Sequence, residues 1–437
     1  MRAPRHLLHA CLAALIGCLV SPMAQGQQPI PFPPEQEETY IREELNRIIN
    51  EDPPNRANAE RVLTELDQPE ASPVGRQLRS RRERGARRIV NGLPSGAYPA
   101  VAAILKGENL SRARMWCTGT LIACDKVLTA AHCLEEQTNQ MDDNPKHYHV
   151  FFQEHGFLKL KAIDWPKGEY KFPYFDLAVL TLETPVEGIA PMSLHWGKKP
   201  RENIVASIVG FGRTGGSRLD YGIKREGTVL TAQCTGEYAE LPLLCWKFDA
   251  DTVWRASAQN TCNGDSGGGV FLRDREGDRV VEKLFAVVSG GRDDDCMKND
   301  LSYNAQVARF RNWIEAAAEG RMTSAMCGTP LYTRRSEQPR HTTVVLGKTK
   351  SEVVVSLPVP ADIQELRVAM NAGDNGDGGN AYELALSHRE GGLKAPCEGS
   401  GQFAMCKLPK PNAGDWLITA KRVNGEGQVQ LTAVMRR

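Results

Sequence analysis

Short runs of β-branched and aromatic residues, separated by turn-forming residues, dominate the sequence from Ile89 to about Asp300. The clearest of these runs are residues 120–122, 149–153, 177–182, 204–210, 228–232 and 284–289. Many short strands at close spacing are typical of a β-sandwich or a β-barrel. One helix is predicted after them, because apolar residues from Val307 to Ala317 recur along one helical face. We therefore predict an all-β fold with a C-terminal helix.

The N-terminus has the three parts of a secretory signal. Arg2 and Arg5 are basic, residues 7–20 are apolar, and small residues at Ala24 and Gly26 suit a signal peptidase. We expect a secreted or periplasmic protein that has no membrane association. The alternative is that residues 15–18, which resemble a bacterial lipobox, make Cys18 a lipid anchor.

Charge and cysteine content exclude several classes of function. The formal net charge is only +1, so neither nucleic acid nor a membrane surface is implied as a partner. Two of the twelve cysteines, Cys11 and Cys18, fall in the signal, which leaves ten. An even number of cysteines in an exported chain indicates disulfides rather than metal ligands, and no CxxC pair is present. We expect no metal and no cofactor.

Two local motifs carry residue types suited to nucleophilic catalysis. A serine hydroxyl attacks an amide when an imidazole accepts its proton and a carboxylate orients that imidazole. His132 lies in the segment TAAHC, and Ser266 lies in the segment GDSGG, whose small residues permit a sharp turn. Asp176 begins the apolar run DLAVL, 44 residues after His132 and 90 before Ser266.

These segments, in this order and with an aspartate between them, resemble the signatures of the trypsin/chymotrypsin family of serine endopeptidases. The resemblance covers roughly residues 89–327. It implies a double six-stranded β-barrel and a catalytic triad of His132, Asp176 and Ser266. It further implies hydrolysis of protein or peptide substrates through an acyl-enzyme on Ser266. The alternative is a non-catalytic serine-protease homologue that acts as a binding protein.

The resemblance also implies roles for residues near the triad. The backbone N–H groups of Gly264 and Ser266 should form the oxyanion hole. Ser289 should pair with the substrate backbone and support Asp176. Gly290 stands where the family usually has a tryptophan, so one wall of the substrate cleft is expected to be missing.

The primary specificity pocket is expected around Asn260, because in the family its base is the residue six before the nucleophile. Gly291 should keep this pocket open, and Ser302 should narrow it. An uncharged base favours a small or uncharged polar side chain before the cut bond. The acids at 293–295 and Asp300, expected near the rim, leave a basic side chain as the alternative.

A third implication of the resemblance is activation from a precursor. Residues 79–88 contain six arginines and precede the segment Ile89-Val-Asn-Gly. In the family, cleavage before such a segment frees an ammonium that pairs with the aspartate preceding the nucleophile. An activating protease is therefore expected to cut after Arg88, and the freed Ile89 is expected to pair with Asp265.

The resemblance further implies most of the disulfide pairing. The expected pairs are Cys117–Cys133, Cys234–Cys245 and Cys262–Cys296 in the protease, with Cys397–Cys406 near the C-terminus and Cys124–Cys327 for the cysteines that remain.

The last hundred residues are again β-like and resemble the bacterial pre-peptidase C-terminal type of β-sandwich. The likeness rests on the segments GDNGD at 373–377 and AGDW at 413–416, and on the two cysteines between them. Calcium binding by Asp374, Asn375 and Asp377 is one interpretation, and a plain turn is the other. A carbohydrate- or surface-binding role for this domain is a further alternative.

Five segments are expected in total. They are a signal peptide (1–26), a partly helical propeptide (27–88), a trypsin-like protease domain (89–328), a linker (329–340) and a C-terminal β-sandwich (341–437).

Overall fold

The computed structural model describes most of the chain beyond Arg88. The described residues are 89–90, 92–136, 140–197, 203–216, 218, 220–248, 259–276, 279–330, 338–373, 381–399 and 401–437. The expected signal peptide and propeptide, and Asp374, Asn375 and Asp377 of the alternative calcium interpretation, lie outside them. In the described residues, no helix combines the length and the apolar character needed to cross a membrane.

The first half of the structure is a closed barrel of six antiparallel strands. A short strand, β1 (Leu93–Pro94), precedes it. The barrel strands are β2 (Val101–Lys106), β3 (Arg114–Ala123), β4 (Lys126–Thr129), β5 (Tyr148–Phe152), β6 (Gly156–Asp164) and β7 (Ala178–Leu182), in the order β2-β3-β4-β7-β6-β5. Strand β6 shows the alternation that favours a barrel wall with one buried face. Leu158 and Leu160 are buried, while Lys159 and Lys161 face solvent.

The second half is a seven-stranded antiparallel sheet that begins with β1. Its other strands are β8 (Val205–Gly210), β9 (Arg225–Leu230), β10 (Leu243–Phe248), β11 (Gly269–Glu276), β12 (Arg279–Gly290) and β13 (Asp300–Gln306), in the order β1-β9-β8-β11-β12-β13-β10. The all-β prediction is confirmed, with a half-barrel in place of a second closed barrel. The predicted helix is present as α1 (Arg311–Ala317), whose buried residue is Ile314.

Short 3-10 helices connect the strands of both halves. They are Leu110–Arg112, Ala131–Leu134, Pro145–His147, Gly236–Tyr238 and Val307–Phe310.

The C-terminal strands form two further sheets. The strands are β14 (Arg340–Leu346), β15 (Glu352–Val359), β16 (Glu365–Ala372), β17 (Ala381–His388), β18 (Cys397–Gly399), β19 (Phe403–Pro409), β20 (Gly414–Asn424) and β21 (Gly427–Arg436). Five of them pair in the order β14-β21-β16-β19-β18, and three in the order β15-β20-β17. Both sheets contribute to one apolar core that includes Leu366 and Trp416. We call this unit the C-terminal sandwich.

The C-terminal sandwich packs directly on the first barrel. The ring of Phe403 lies edge-on to the ring of Phe151, with centroids 5.1 Å apart. Phe403 and Met405 are buried in the same core cluster as the barrel residues. Burial of such a side chain typically contributes about 1.5–3 kcal/mol, so this contact is a substantial apolar interface.

The structure contains all five expected disulfides. They are Cys117–Cys133, Cys124–Cys327, Cys234–Cys245, Cys262–Cys296 and Cys397–Cys406.

Candidate active site

Strand pairing in the first barrel brings His132 and Asp176 together. Strand β4 leads into the 3-10 helix that carries His132, Asp176 lies just before β7, and β4 pairs with β7. Asp176 is fully buried, and its Oδ2 lies 2.7 Å from His132 Nδ1. Its Oδ1 accepts a hydrogen bond of 2.8 Å from the backbone N–H of His132. The carboxylate thus orients both the ring and the backbone of the histidine.

Electrostatics prepare this histidine to accept a proton. Burial disfavours the imidazolium, but the charge of Asp176 and its hydrogen bond to Nδ1 outweigh burial and raise the pKa of His132 above its usual value. The hydroxyl of Ser289 donates a second hydrogen bond to Asp176 Oδ2. With Nδ1 engaged by the carboxylate, Nε2 is the nitrogen that can take a proton from a nucleophile.

The turn that carries Ser266 is pressed against the first barrel. The backbone N–H of Thr118 donates to Ser266 O at 2.8 Å, and Gly267 N–H donates to Val288 O at 2.8 Å. Gly267 has a φ of +81°, and a Cβ there would lie 2.0 Å from Thr129 Oγ1. Only glycine therefore permits this approach of the turn to the histidine segment.

The Ser266 hydroxyl makes no hydrogen bond within the described part of the chain. Catalytic hydrogen bonds to a nucleophile are often long in a free enzyme and shorten with substrate. The backbone N–H groups of Gly264 and Ser266 are likewise unused among the described residues, whereas the N–H of Asp265 donates to Cys262 O at 2.9 Å. Two unused donors on one sharp turn are available to a developing oxyanion.

Asp265, the residue before Ser266 in this turn, has a fully buried carboxylate. Its oxygens accept hydrogen bonds from the backbone N–H of Gly212 at 2.8 Å and of Cys262 at 2.9 Å. Burial outweighs these hydrogen bonds and the charge of Arg225, and it raises the pKa of Asp265 to about 7. The intact chain thus holds a carboxyl group that is costly to ionise.

The segment that begins at Ile89 is already inserted in the second half of the structure. Ile89 is 1% exposed, and Val90 pairs with Asn260 through backbone hydrogen bonds of 3.0 and 3.2 Å. The backbone φ of Ile89 is +46°. A β-branched residue is rarely found in this left-handed region, so the intact chain is strained at this residue.

The expected specificity residue, Asn260, lies in a buried polar cluster. Its Oδ1 accepts hydrogen bonds from Trp246 Nε1 at 2.8 Å and from Ser302 Oγ at 2.7 Å. Its Nδ2 donates to Asp300 Oδ2 at 2.7 Å. Asp300 is therefore not at the rim of the expected pocket but beside Asn260.

The Asp300 carboxylate also approaches Gly291, the residue expected to keep the pocket open. A Cβ on Gly291 would lie 2.7 Å from Asp300 Oδ2. The other oxygen, Oδ1, accepts hydrogen bonds from the backbone N–H of Arg292 at 2.7 Å and of Asp293 at 3.1 Å. Asp300 is only 1% exposed. The cluster around Asn260 thus contains an acidic group.

Aromatic residues occupy the place where the family tryptophan is absent. A Cβ on Gly290 would meet the Tyr303 hydroxyl at 2.8 Å, because these residues are cross-strand partners. The Tyr303 ring stacks on Tyr238 with centroids 4.4 Å apart and meets Phe172 edge-on at 6.0 Å. Phe172 in turn lies edge-on to His132 at 5.4 Å. The expected gap in the cleft wall is therefore filled, which sequence reasoning missed.

The residues around His132 do not form a metal site. Among the described residues, Cys117, His132 and Cys133 lie close enough together to hold an ion. Cys117 and Cys133 are bonded to each other, so neither thiolate is available as a ligand.

Comparison with known proteins agrees with this architecture. The Trypsin family model matches residues 90–314, which is more than half of the chain. The chain therefore belongs to the trypsin family. The match ends before the C-terminal sandwich.

Individual relatives include serine proteases of several sources. The beta subunit of clotting factor G from Tachypleus tridentatus is 25% identical over 260 residues, which is 53% of this chain and 79% of that protein. A trypsin from Saccharopolyspora erythraea is 32% identical over 190 residues, 41% of this chain and 76% of that protein. A venom serine protease from Polistes dominula is 27% identical over 257 residues, 53% of this chain and 86% of that protein. These likenesses support a serine protease and hence a hydrolase.

Proposed function

We propose that the chain is a secreted serine endopeptidase that hydrolyses protein or peptide substrates through an acyl-enzyme on Ser266. The observation that carries the proposal is the buried Asp176–His132 pair, with Oδ2 2.7 Å from Nδ1, on the barrel face against which the Ser266 turn packs. Non-catalytic homologues typically lose a triad residue, whereas His132, Asp176 and Ser266 are all present here.

The proposed reaction has two symmetrical halves. His132 Nε2 takes the proton of Ser266 as its Oγ forms a bond to the substrate carbonyl carbon, and the oxyanion accepts hydrogen bonds from the N–H groups of Gly264 and Ser266. His132 then gives that proton to the leaving amine as the carbon–nitrogen bond breaks. Water repeats the sequence on the acyl-enzyme and restores Ser266. Asp176 stays ionised throughout.

Activation by cleavage after Arg88 is part of the proposal. Cleavage would remove the peptide group that defines the strained φ of Ile89, and it would create an ammonium at that residue. A cation beside Asp265 would offset the cost of ionising a buried carboxylate. We propose residues 1–26 as a signal peptide and 27–88 as a propeptide that an activating protease releases by cutting after Arg88.

We propose that residues 89–328 form the protease domain and residues 329–340 a linker. The C-terminal sandwich, residues 341–437, would then be an accessory domain of the bacterial pre-peptidase C-terminal type. Its two antiparallel sheets around one core support that assignment.

The test compares processed wild-type protein with Ser266→Ala and with an exposed control, Ser351→Ala. Wild type and control should hydrolyse peptides and be labelled once by a peptidyl organophosphonate, whereas Ser266→Ala should do neither. Mass spectrometry should find the label on Ser266. Folded, processed wild-type protein that neither hydrolyses nor takes the label would contradict the proposal and favour the binding-protein alternative.

A further inference from the structure

The C-terminal sandwich holds one backbone segment of the protease, residues 221–224, through side-chain amides. Three buried side-chain amides make four hydrogen bonds to this segment. Gln402 Nε2 donates to Tyr221 O at 2.8 Å, and Asn371 Nδ2 donates to Gly222 O at 2.7 Å. Gln430 Nε2 donates to Lys224 O at 3.1 Å, and Gln430 Oε1 accepts from the Lys224 N–H at 2.8 Å. Each buried amide would be costly to leave unpaired. We call these three residues the amide clamp.

Two side chains of the amide clamp are hydrogen-bonded to each other and to the first barrel. Asn371 Nδ2 also donates to Gln430 Oε1 at 2.6 Å, and Gln153 of the first barrel donates to Asn371 Oδ1 at 2.9 Å. Gly222 has a φ of +100°, and a Cβ there would lie 2.5 Å from both Ala372 O and Gln402 Nε2. The protease segment thus approaches the sandwich more closely than any residue with a side chain would allow.

From the clamped segment, contacts lead directly to the Ser266 turn. The backbone N–H of Gly222 donates to Phe211 O at 2.8 Å, and the next residue, Gly212, donates its N–H to Asp265 Oδ1 at 2.8 Å. Tyr221 makes the closest approach: a Cβ on Gly264 would lie 2.9 Å from Tyr221 Cδ1. One clamped segment therefore packs against Gly264 and is hydrogen-bonded to the segment that follows β8, whose Gly212 binds the carboxylate of Asp265.

We propose that the C-terminal sandwich is a built-in positioning element for the oxyanion hole, acting through the amide clamp and Tyr221. The inference rests on the proposed peptidase function and adds a role for a domain that the family match does not cover. Backbone donors stabilise a developing oxyanion only when they are held in place before reaction. Asn371, Gln402 and Gln430 are positioning residues, since they touch neither substrate nor triad.

The experiment uses the full chain, processed after Arg88, with Gln402→Met as the test variant. Methionine keeps the length of the side chain and removes the amide. The matched control is Gln364→Met, an exposed glutamine of the same sandwich. Active sites are counted by organophosphonate labelling, and kcat, KM and the inhibition constant of a peptide aldehyde are measured. The aldehyde is informative because its tetrahedral adduct places an oxygen in the oxyanion hole.

We expect Gln402→Met to lower kcat per active site about tenfold, the effect of roughly one lost hydrogen bond, with KM nearly unchanged. The aldehyde should bind more weakly by the same factor. The control should match wild type in all three quantities. A lower melting temperature with unchanged kcat per active site would overturn the inference, as would a change confined to KM.

A second variant keeps the test decisive if Gln402→Met does not fold. Tyr221→Leu alters the next contact on the same route, that of the Tyr221 ring with Gly264, and should likewise lower kcat and aldehyde affinity. Where Gln402→Met does fold, the two losses should not add in the double variant, because both act through one route to Gly264. Additive losses, or normal kinetics of Tyr221→Leu, would refute the proposed route. Failure of the peptidase proposal is distinct, since wild type itself would then be inactive.

Discussion

The two halves of the candidate active site are built in different ways. His132 and Asp176 belong to a closed barrel whose six strands all pair on both sides, and Cys117–Cys133 ties the histidine segment to β3. Ser266 belongs to a turn before an open seven-stranded sheet. That turn has partners outside its sheet: the backbone N–H of Thr118 in the first barrel donates to Ser266 O, and the Tyr221 ring approaches Gly264.

This difference assigns distinct tasks to the two halves. The barrel has no free edge, and within it Asp176 binds both the ring and the backbone of His132. The second half adds the hydrogen bond from the Ser289 hydroxyl to Asp176 Oδ2. We propose that the nucleophile half is instead completed by the N-terminal segment after cleavage on one side and by the C-terminal sandwich on the other. We infer that control of activity lies in the nucleophile half, while the base half is permanently formed.

The largest expected effect tests the base half alone. Asp176→Asn should lower kcat about 10⁴-fold with the fold intact, because the amide cannot favour the tautomer that leaves Nε2 free to accept a proton. The measurement is kcat per active site beside the circular dichroism spectrum. Asp164→Asn, at the exposed end of β6, is the matched control and should be normal. More than a tenth of wild-type activity in Asp176→Asn would contradict the triad.

The second prediction asks whether activation changes only the nucleophile half. Arg88→Gln should block processing and keep activity about 10²- to 10³-fold below that of processed wild type, because Asp265 then lacks the partner whose absence costs about 3–5 kcal/mol. Arg84→Gln should be processed and active.

The His132 pKa, followed by NMR, provides the comparison between halves. It should be the same in Arg88→Gln and in processed protein, since Asp176 sets it in both. A large shift on processing would show that the base half is not preformed. Full activity of unprocessed Arg88→Gln would exclude activation by cleavage.

The third prediction concerns the pH dependence of stability in the intact chain. The pKa of Asp265 is raised to about 7 by burial, against about 3.9 for an unfolded aspartate. The folded state therefore holds the proton more tightly, so this contribution to stability is present below about pH 4 and is lost as pH rises to about 7. The full loss is about 4 kcal/mol.

Chemical denaturation between pH 4 and 8 measures this loss in Ser266→Ala protein, which cannot digest itself. Glu154, whose pKa burial also raises to about 7, titrates in the same range. The difference between Ser266→Ala and Ser266→Ala/Asp265→Asn isolates Asp265. Once the chain is cut after Arg88, an ammonium paired with Asp265 should lower the pKa of this carboxyl, so the pH dependence of the difference between pH 4 and 8 should nearly vanish. A difference that does not vary with pH in the intact chain would show that Asp265 is not an unpaired buried acid.

Sequence reasoning was most successful where chemistry is local. The fold class is confirmed, and the segments around His132 and Ser266 contain in themselves the turns and small residues that the structure uses. The amide clamp was not foreseen, because Gln402 and Gln430 acquire their role only from contacts with residues some 180 to 206 positions away. Such contacts have no local periodicity. The aromatic wall at Tyr303 was missed for the same reason.

Asp300 is an intermediate case. Alternate residues of a strand share one face, so placing Ser302 beside Asn260 also places Asp300 there. Spacing alone was sufficient for that step, and the acid was nevertheless expected near the rim. The position of Asp300 changes the expected substrate preference, because it places a carboxylate beside the uncharged Asn260 amide.

The last and smallest prediction is that Asp300, in the nucleophile half, gives a preference for substrates with a basic residue before the cut bond. Its Oδ2 lies 2.7 Å from Asn260 Nδ2 and directly beside Gly291, where a long basic side chain would end. Asp300→Asn should lower kcat/KM for Arg and Lys substrates about 10- to 100-fold, as expected for loss of a charged hydrogen bond. The control is Asp295→Asn, which changes an exposed acid of the loop before β13 and should keep the wild-type profile. A peptide-library profile measures the preference directly. The prediction is contradicted if wild type prefers small or uncharged polar residues and Asp300→Asn leaves that profile unchanged. In that case the Asp300 carboxylate only accepts hydrogen bonds from the backbone of Arg292 and Asp293. The preference predicted from Asn260 alone would then be correct.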